Sequence, residues 1–227
     1  MSFENAIRRR LARARLYGIL DLGCTPEDSL ERVAAQLCEG GVDVVQLRAK
    51  GREEYDIEEM ANRVAPIFRE AGVPFIINDF PELVPSVGAD GAHVGQDDFA
   101  VNDARWRAGR ALAGEVPLPI LGKSTHSVEQ AVAAAAEGAD YIGFGPLFPT
   151  PTKAGRPAIG LADIARVHAL VSVPIFCIGG VKLGNLDAVI AAGARRVVIV
   201  SGILQAPDIA AYCREAKALL DAVPLTV

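Results

Sequence analysis

Four stretches of the chain repeat one local grammar: a helical end, a glycine or Gly-Ala step, a polar residue, then a short apolar run. They are Glu39–Gln46, Val87–Val94, Glu137–Phe144 and Ala192–Ile199. Glycine ends a helix because it takes the left-handed backbone without steric cost. A brief apolar run bounded by such turns reads as a strand buried on both faces, the habit of parallel sheets covered by helices. A helix-then-strand unit that recurs along the whole chain commits it to an α/β architecture.

Filling the intervals gives eight expected strands: Leu16–Leu22, Val44–Arg48, Pro74–Ile77, Gly91–Val94, Ile120–Lys123, Tyr141–Phe144, Pro174–Ile178 and Arg196–Val200. Each precedes a helical pattern, short after Ile77 and clear at Ser29–Glu39, Leu186–Ala192 and Pro207–Leu220. Proline at a first strand position, as at Pro74 and Pro174, is tolerated. Eight βα units in about 210 residues make a compact (β/α)8 TIM barrel, with a doubly wound open sheet as the alternative. The domain expectation is a single barrel over residues 1–227, with residues 1–15 as a basic helical extension covering one end. Arg110–Pro119 reads as a looser connection.

The 227 residues are 51% hydrophobic and 6% aromatic, which suits a buried parallel core better than a β-sandwich. The net charge of −5 argues against a nucleic-acid surface, and no apolar run reaches the ~18 residues of a membrane span. Cys24, Cys38, Cys177 and Cys213 lack zinc-ligand or CxxC spacing, so they read as reduced thiols in a cytoplasmic protein.

In a barrel of this kind, function gathers at the C-terminal ends of the strands. Polar residues fall there repeatedly: Gln46, Arg48 and Lys50; Asn78 and Asp79; His93, Gln96 and Asp98; Ser124 and His126; Thr150, Thr152 and Lys153; Gly179-Gly180; and Ser201-Gly202. Arg48, Lys50 and Lys153 are cations suited to phosphoryl oxygens. Asp79 and Asp98 are hard donors on adjacent strands, and Mg2+ takes one or two carboxylates beside phosphate oxygens and water. The glycine pairs after strands seven and eight suit a second phosphate held by backbone N–H groups. Each residue also has a plainer reading. Gly179-Gly180 can be a tight turn, Asp79 or Asp98 a helix cap, and Arg48 a rim ion pair. His93 reads as a structural donor, His126 as a hydrogen-bonded wall residue and His168 as a surface residue. Pro149–Gly155, long and rich in proline and threonine, reads as a lid.

The motifs QLRAK (46–50), IIND (76–79), GADGAHVGQDD (88–98), LGKSTHS (121–127) and DYIGFGPLFPTPTK (140–153) resemble the thiamine phosphate synthase family from about Tyr17 to Leu204. The resemblance implies a Mg2+-dependent transferase. It would join 4-amino-2-methyl-5-pyrimidinylmethyl diphosphate to a thiazole phosphate and release diphosphate. On this resemblance Gln46, Arg48, Lys50, Asn78, Ser124 and Lys153 hold the pyrimidine diphosphate. Arg48, Lys50, Ser124 and Lys153 are the catalytic set among them. Asp79 and Asp98 are the metal ligands. Thr150 and Thr152 line the thiazole site, and Gly180, Val200 and Ser201 bind its phosphate. The chain departs from the family pattern at Lys123, where a small apolar residue is more usual, and at Gly202, where alanine is common.

The alternatives are a thiazole tautomerase of the same superfamily, with His126 as its base, and a non-catalytic phosphate-ligand sensor. Retention of the full charged set favours the synthase, because an isomerase has no diphosphate to release. The expected partners are small-molecule substrates, with no nucleic acid and no membrane, and a homo-oligomer is left open. In the charge balance read from sequence, Mg2+, the three cations and the two aspartates together match a diphosphate ester.

Overall fold

In the computed structural model, which describes residues 3–109, 118–150 and 157–225, eight short strands close into a parallel barrel in sequence order. They are β1 (Leu16–Asp21), β2 (Val44–Arg48), β3 (Phe75–Asn78), β4 (Gly91–Val94), β5 (Ile120–Thr125), β6 (Tyr141–Phe144), β7 (Ile175–Cys177) and β8 (Val197–Ile199). Closure is explicit, since Leu16 of β1 pairs in register with Val197 of β8. The fold is therefore a (β/α)8 barrel and not an open sheet. Around it run α1 (Phe3–Arg13), α2 (Leu30–Glu39), α3 (Glu54–Ala71), α4 (Val84–Val87), α5 (Val101–Gly109), α6 (Val128–Ala136), α7 (Ile164–Leu170), α8 (Leu183–Ala191), α9 (Ser201–Leu204) and α10 (Ile209–Asp221).

The repeated grammar has a physical cause. A glycine of each repeat is left-handed: Gly41 (φ 78°), Gly88 (64°), Gly138 (89°) and Gly193 (111°). The aspartate that follows in three of them clamps the start of the preceding strand. Asp43 Oδ2 accepts from the Leu16 N–H at 2.9 Å, Asp90 Oδ2 from Phe75 N–H at 2.9 Å, and Asp140 Oδ2 from Leu121 N–H at 2.8 Å. Each aspartate's own N–H donates back to the carbonyl of that same residue. Leu16, Phe75 and Leu121 are thus held from both sides at the N-terminal rim, where strand ends otherwise leave backbone groups unpaired. In the fourth repeat Arg195 and Arg196 replace the acid, and there the Arg196 carbonyl accepts from the Cys177 N–H of the preceding strand.

Strand alternation divides the core in two. Outward residues such as Leu20, Val45, Leu47, Ile77, Leu121 and Ile142 pack under the helices. Inward residues Tyr17, Ile19, Val44, Ile76, Ile120, Tyr141, Phe176 and Val198 fill the barrel, and Leu11 and Ala14 stop its N-terminal end. Arg8 of α1 pairs with Asp140, and Arg10 donates to the Gly72 carbonyl, which ties this helix across that end. The next inward positions toward the C-terminal rim are polar, and there the site forms.

Candidate active site

The inward alternation that puts Tyr17 and Ile19 in the core carries Asp21 to the rim. In the same way β2 lifts Gln46 and Arg48, β3 lifts Asn78, β4 His93 and β5 Ser124. These residues line one pocket, open to solvent at its mouth, with Thr150, His126, Gly180, Val200 and Ser201 on the remaining wall. Its floor is an aromatic trio. Phe176 meets Tyr17 and Tyr141 edge-on, with ring centroids 5.3 Å and 5.7 Å away.

Of the residues expected from sequence, Gln46, Arg48, Asn78, Ser124, Thr150, Gly180, Val200 and Ser201 meet in this pocket. Lys50 lies beyond β2 and is exposed. Thr152 and Lys153, with most of the expected lid, fall outside the described residues. Asp79 and Asp98 follow the ends of adjacent strands β3 and β4 without lining the pocket itself.

Asp21 was hidden inside an apolar run. Its carboxylate is 2.7 Å from the Arg48 guanidinium, with side-chain exposures of 3% and 14%, and its other oxygen accepts from the Gly23 N–H at 2.9 Å. Arg48 is therefore a pinned cation, aimed across the rim rather than free to swing. Asp21 also removes one positive charge from the balance read from sequence, which omitted it.

Asp79 is the only non-glycine with a left-handed backbone among the described residues (φ 64°). It does not cap the following helical turn, whose N-cap is Phe80. A strained conformation of this kind persists where surrounding structure imposes it, and such positions cluster at functional sites. Its N–H is fixed by the His93 carbonyl at 2.9 Å, across the β3–β4 seam. Asp98 Oδ2 accepts from the Gly95 N–H at 2.7 Å, which holds its carboxylate in the β4–α5 turn while a carboxylate has further lone pairs to offer. Among the described residues no cluster of three or more metal-ligating side chains forms. A two-carboxylate site fits Mg2+, which keeps waters and phosphate oxygens as its other ligands, and fits poorly a metal that needs an all-protein cage.

The two glycines after β7 are obligatory. Gly179 (φ 95°) and Gly180 (φ 68°) are both left-handed, and a Cβ at either would run into Pro146 or Phe148. These two residues in succession bring bare backbone to the pocket wall.

His126 donates from Nδ1 to the Gly145 carbonyl, and its N–H donates to Gln130 Oε1 at 2.7 Å. His93 bonds Tyr141 and Ser124 through its two ring nitrogens. His168 is a correction: expected at the surface, it turns its Nε2 inward under Arg195 and Arg196. Burial first, and those two cations second, push its pKa down to about 4. All four cysteines are free thiols, and burial pushes that of Cys177 up to about 12.

Both departures from the family pattern have local causes. Lys123 points outward from β5, is almost fully buried, and donates from Nζ to the Phe99 carbonyl, so it sits outside the pocket. At Gly202 an alanine Cβ would lie 2.7 Å from the Tyr212 hydroxyl, which accepts from the Leu183 N–H.

A (β/α)8 barrel with a polar pocket at the C-terminal ends of its strands defines an enzyme of the TIM-barrel class, with chemistry at that rim. The chain belongs, within that class, to the thiamine monophosphate synthase family, whose sequence model matches residues 16–203. It is 47% identical over 187 residues to the thiamine-phosphate synthase of Thermus thermophilus, covering 82% of this chain and 86% of that relative. It is 43% identical over 220 residues to that of Thermobifida fusca, covering 94% and 95%. The thiamine phosphate pyrophosphorylase structure from Pyrococcus furiosus superimposes with a TM-score of 0.80 at 27% identity, over 95% of this chain and 98% of that one.

Proposed function

We propose that this chain joins 4-amino-2-methyl-5-pyrimidinylmethyl diphosphate to a thiazole phosphate, giving thiamine phosphate and diphosphate. One observation carries the reading. Gln46, Arg48, Asn78 and Ser124 converge on the same pocket as the paired glycines of β7 and the Ser201 end of β8. That arrangement offers one anion site built from side chains and a second built largely from backbone, as two phosphorylated substrates require.

The chemical task is to break a carbon–oxygen bond to diphosphate. The aminopyrimidine ring is electron-rich and supports positive charge on its methylene carbon, so the bond can open before the thiazole nitrogen attacks. That nitrogen is neutral and needs no base. The chain's work is to stabilise the departing anion and to align the two rings, which are usually the large contributions. Arg48, held by Asp21, and Ser124 face the diphosphate; Lys50 and Lys153 supply further cations from the loops after β2 and β6. Asp79 and Asp98 would hold Mg2+, which when bound neutralises charge on the diphosphate. Thr150 and Thr152 flank the thiazole, and Gly180, Val200 and Ser201 receive its phosphate. The aromatic floor gives the flat pyrimidine an apolar seat.

The test is direct: incubate the protein with both substrates, with Mg2+ or with EDTA, and measure diphosphate and thiamine phosphate. Equal amounts of both products, lost in EDTA and restored by Mg2+, are expected. Isomerisation of a thiazole carboxylate phosphate alone, with no diphosphate formed, would move the assignment to the tautomerase.

The expected setting is a cytoplasmic enzyme acting on small molecules. Among the described residues no helix is long and apolar enough to cross a membrane.

A further inference from the structure

A chain of side-chain hydrogen bonds crosses the barrel beneath the pocket. Gln46 Nε2 donates to the Tyr17 hydroxyl at 3.1 Å, and the Tyr17 and Tyr141 hydroxyls lie 2.9 Å apart. The Tyr141 hydroxyl is 3.1 Å from His93 Nδ1, and His93 Nε2 is 2.9 Å from Ser124 Oγ. Five strands contribute one member each, and the two ends both line the pocket. Gly122 of β5 makes the passage possible, because a Cβ there would overlap the Tyr141 ring and crowd His93 Nδ1.

We infer that this chain is a one-way hydrogen-bond relay that fixes the Ser124 hydroxyl as a donor to an anionic ligand, which makes Tyr17, Tyr141 and His93 positioning residues. The identity of the ligand rests on the proposed function; the direction of the relay rests on the chain of bonds itself.

The direction follows from counting protons. An amide nitrogen only donates, so the Tyr17 oxygen receives the Gln46 proton. Burial raises both phenols above their ordinary range, so each keeps one proton to give. Tyr17 gives its proton to Tyr141. Were Tyr141 to donate to Tyr17 instead, the Tyr17 oxygen would accept twice and its own proton would face the apolar interior, a state buried donors rarely occupy. Tyr141 then donates to His93 Nδ1. A neutral ring with an accepting Nδ1 carries its proton on Nε2, and that proton goes to Ser124 Oγ. The Ser124 proton is thereby directed away from His93 and toward the pocket. A diphosphate oxygen can only accept, so this polarity decides the sign of the interaction. A reversed relay would spend the serine proton on His93 and turn oxygen lone pairs toward the anion.

Nitrogen NMR of the wild-type protein, at a pH where imidazole is neutral, reads the His93 tautomer directly, with His93→Gln to assign it. A protonated Nε2 with an unprotonated Nδ1 is expected, and a proton on Nδ1 would overturn the relay. Tyr141→Phe keeps the ring and removes the donor to Nδ1. It is expected to weaken the binding of inorganic diphosphate, followed by calorimetry, by about 10- to 100-fold, the scale of a hydrogen bond to a charged group. In a Ser124→Ala background the same substitution is expected to cost less than about twofold, because its effect runs through the serine hydroxyl. Equal losses in both backgrounds, or none in either, would make the tyrosine merely structural and overturn the proposal. These readings use no turnover, so a wild-type protein that made no thiamine phosphate would refute the proposed reaction while the relay was still decided.

Discussion

Replacing Asp21 by asparagine keeps the shape of the side chain and removes the charge that faces Arg48. The pair is close (2.7 Å) and almost fully buried, with side-chain exposures of 3% and 14%. Removing one partner of a buried pair typically costs about 3–5 kcal/mol, because the remaining charge stays desolvated and uncompensated. Asparagine keeps one acceptor oxygen, which can serve either the Gly23 N–H or the guanidinium, so one of the two bonds survives and a loss near the lower end, about 3 kcal/mol, is expected. For a domain of this size each kcal/mol lowers Tm by roughly 2–4 °C, which gives about 6–12 °C. The informative measurement is that same melt with Mg2+ and inorganic diphosphate. The ligand brings negative charge to Arg48, so Asp21→Asn should gain more in Tm from diphosphate than the wild type does. Its kcat should fall about tenfold, since Arg48 is no longer held in place. A Tm loss that diphosphate leaves untouched would mean that Arg48 does not meet the anion, and an unchanged Tm would refute the account of the pair.

Lys153→Ala should lower kcat by roughly 100-fold with a small change in KM for the pyrimidine diphosphate, the scale of losing a donor that acts on developing charge; steady-state kinetics decide it. Lys123→Met keeps the buried stem but not the bond to the Phe99 carbonyl, and should speed amide exchange in residues 95–100 while the barrel strands stay protected. His168 is held neutral in the folded state down to about pH 4 and charges near its ordinary value when unfolded. The unfolded chain therefore binds the extra proton between about pH 6.5 and 4, and stability falls as pH drops through that window. His168→Gln should flatten this decline in urea midpoints measured at pH 7 and pH 5, and an unchanged slope would contradict the burial argument.

Much of the fold was legible because the glycine of each repeat, and the aspartate of three of them, do local work. The left-handed step and the rim clamp sit within a few residues of the strand they start, so β2, β4 and β6 were found at their observed bounds. The ends of the other strands were less legible. Lys123 looks like the end of β5, yet β5 runs on to Thr125, because the lysine faces outward and finds a carbonyl in the β4–α5 loop. The expected runs Pro174–Ile178 and Arg196–Val200 shorten to the residues that pair in the ladder. At the site, residues just past apolar runs were readable, since a parallel barrel delivers them all to one rim. Asp21 was not, because it sits inside such a run and its meaning comes from Arg48, 27 residues away. Tyr17 and Tyr141 read as plain core. Their hydroxyls meet across 124 residues of sequence, and only the closed barrel brings them together.

The rim clamps also bear on how the barrel breathes. Aspartates staple β1, β3 and β5 at their starts, but the fourth repeat has arginines there, and β7 and β8 meet in register only at Cys177 and Val197. The thinnest seam of the wall therefore lies between the two strands whose outer ends carry Gly179-Gly180 and Ser201. A phosphate gripped from both sides of that gap would act as a latch on the cylinder. Substrate capture would then tighten the scaffold as well as fill the pocket, and departure of the product would loosen it again at the same place.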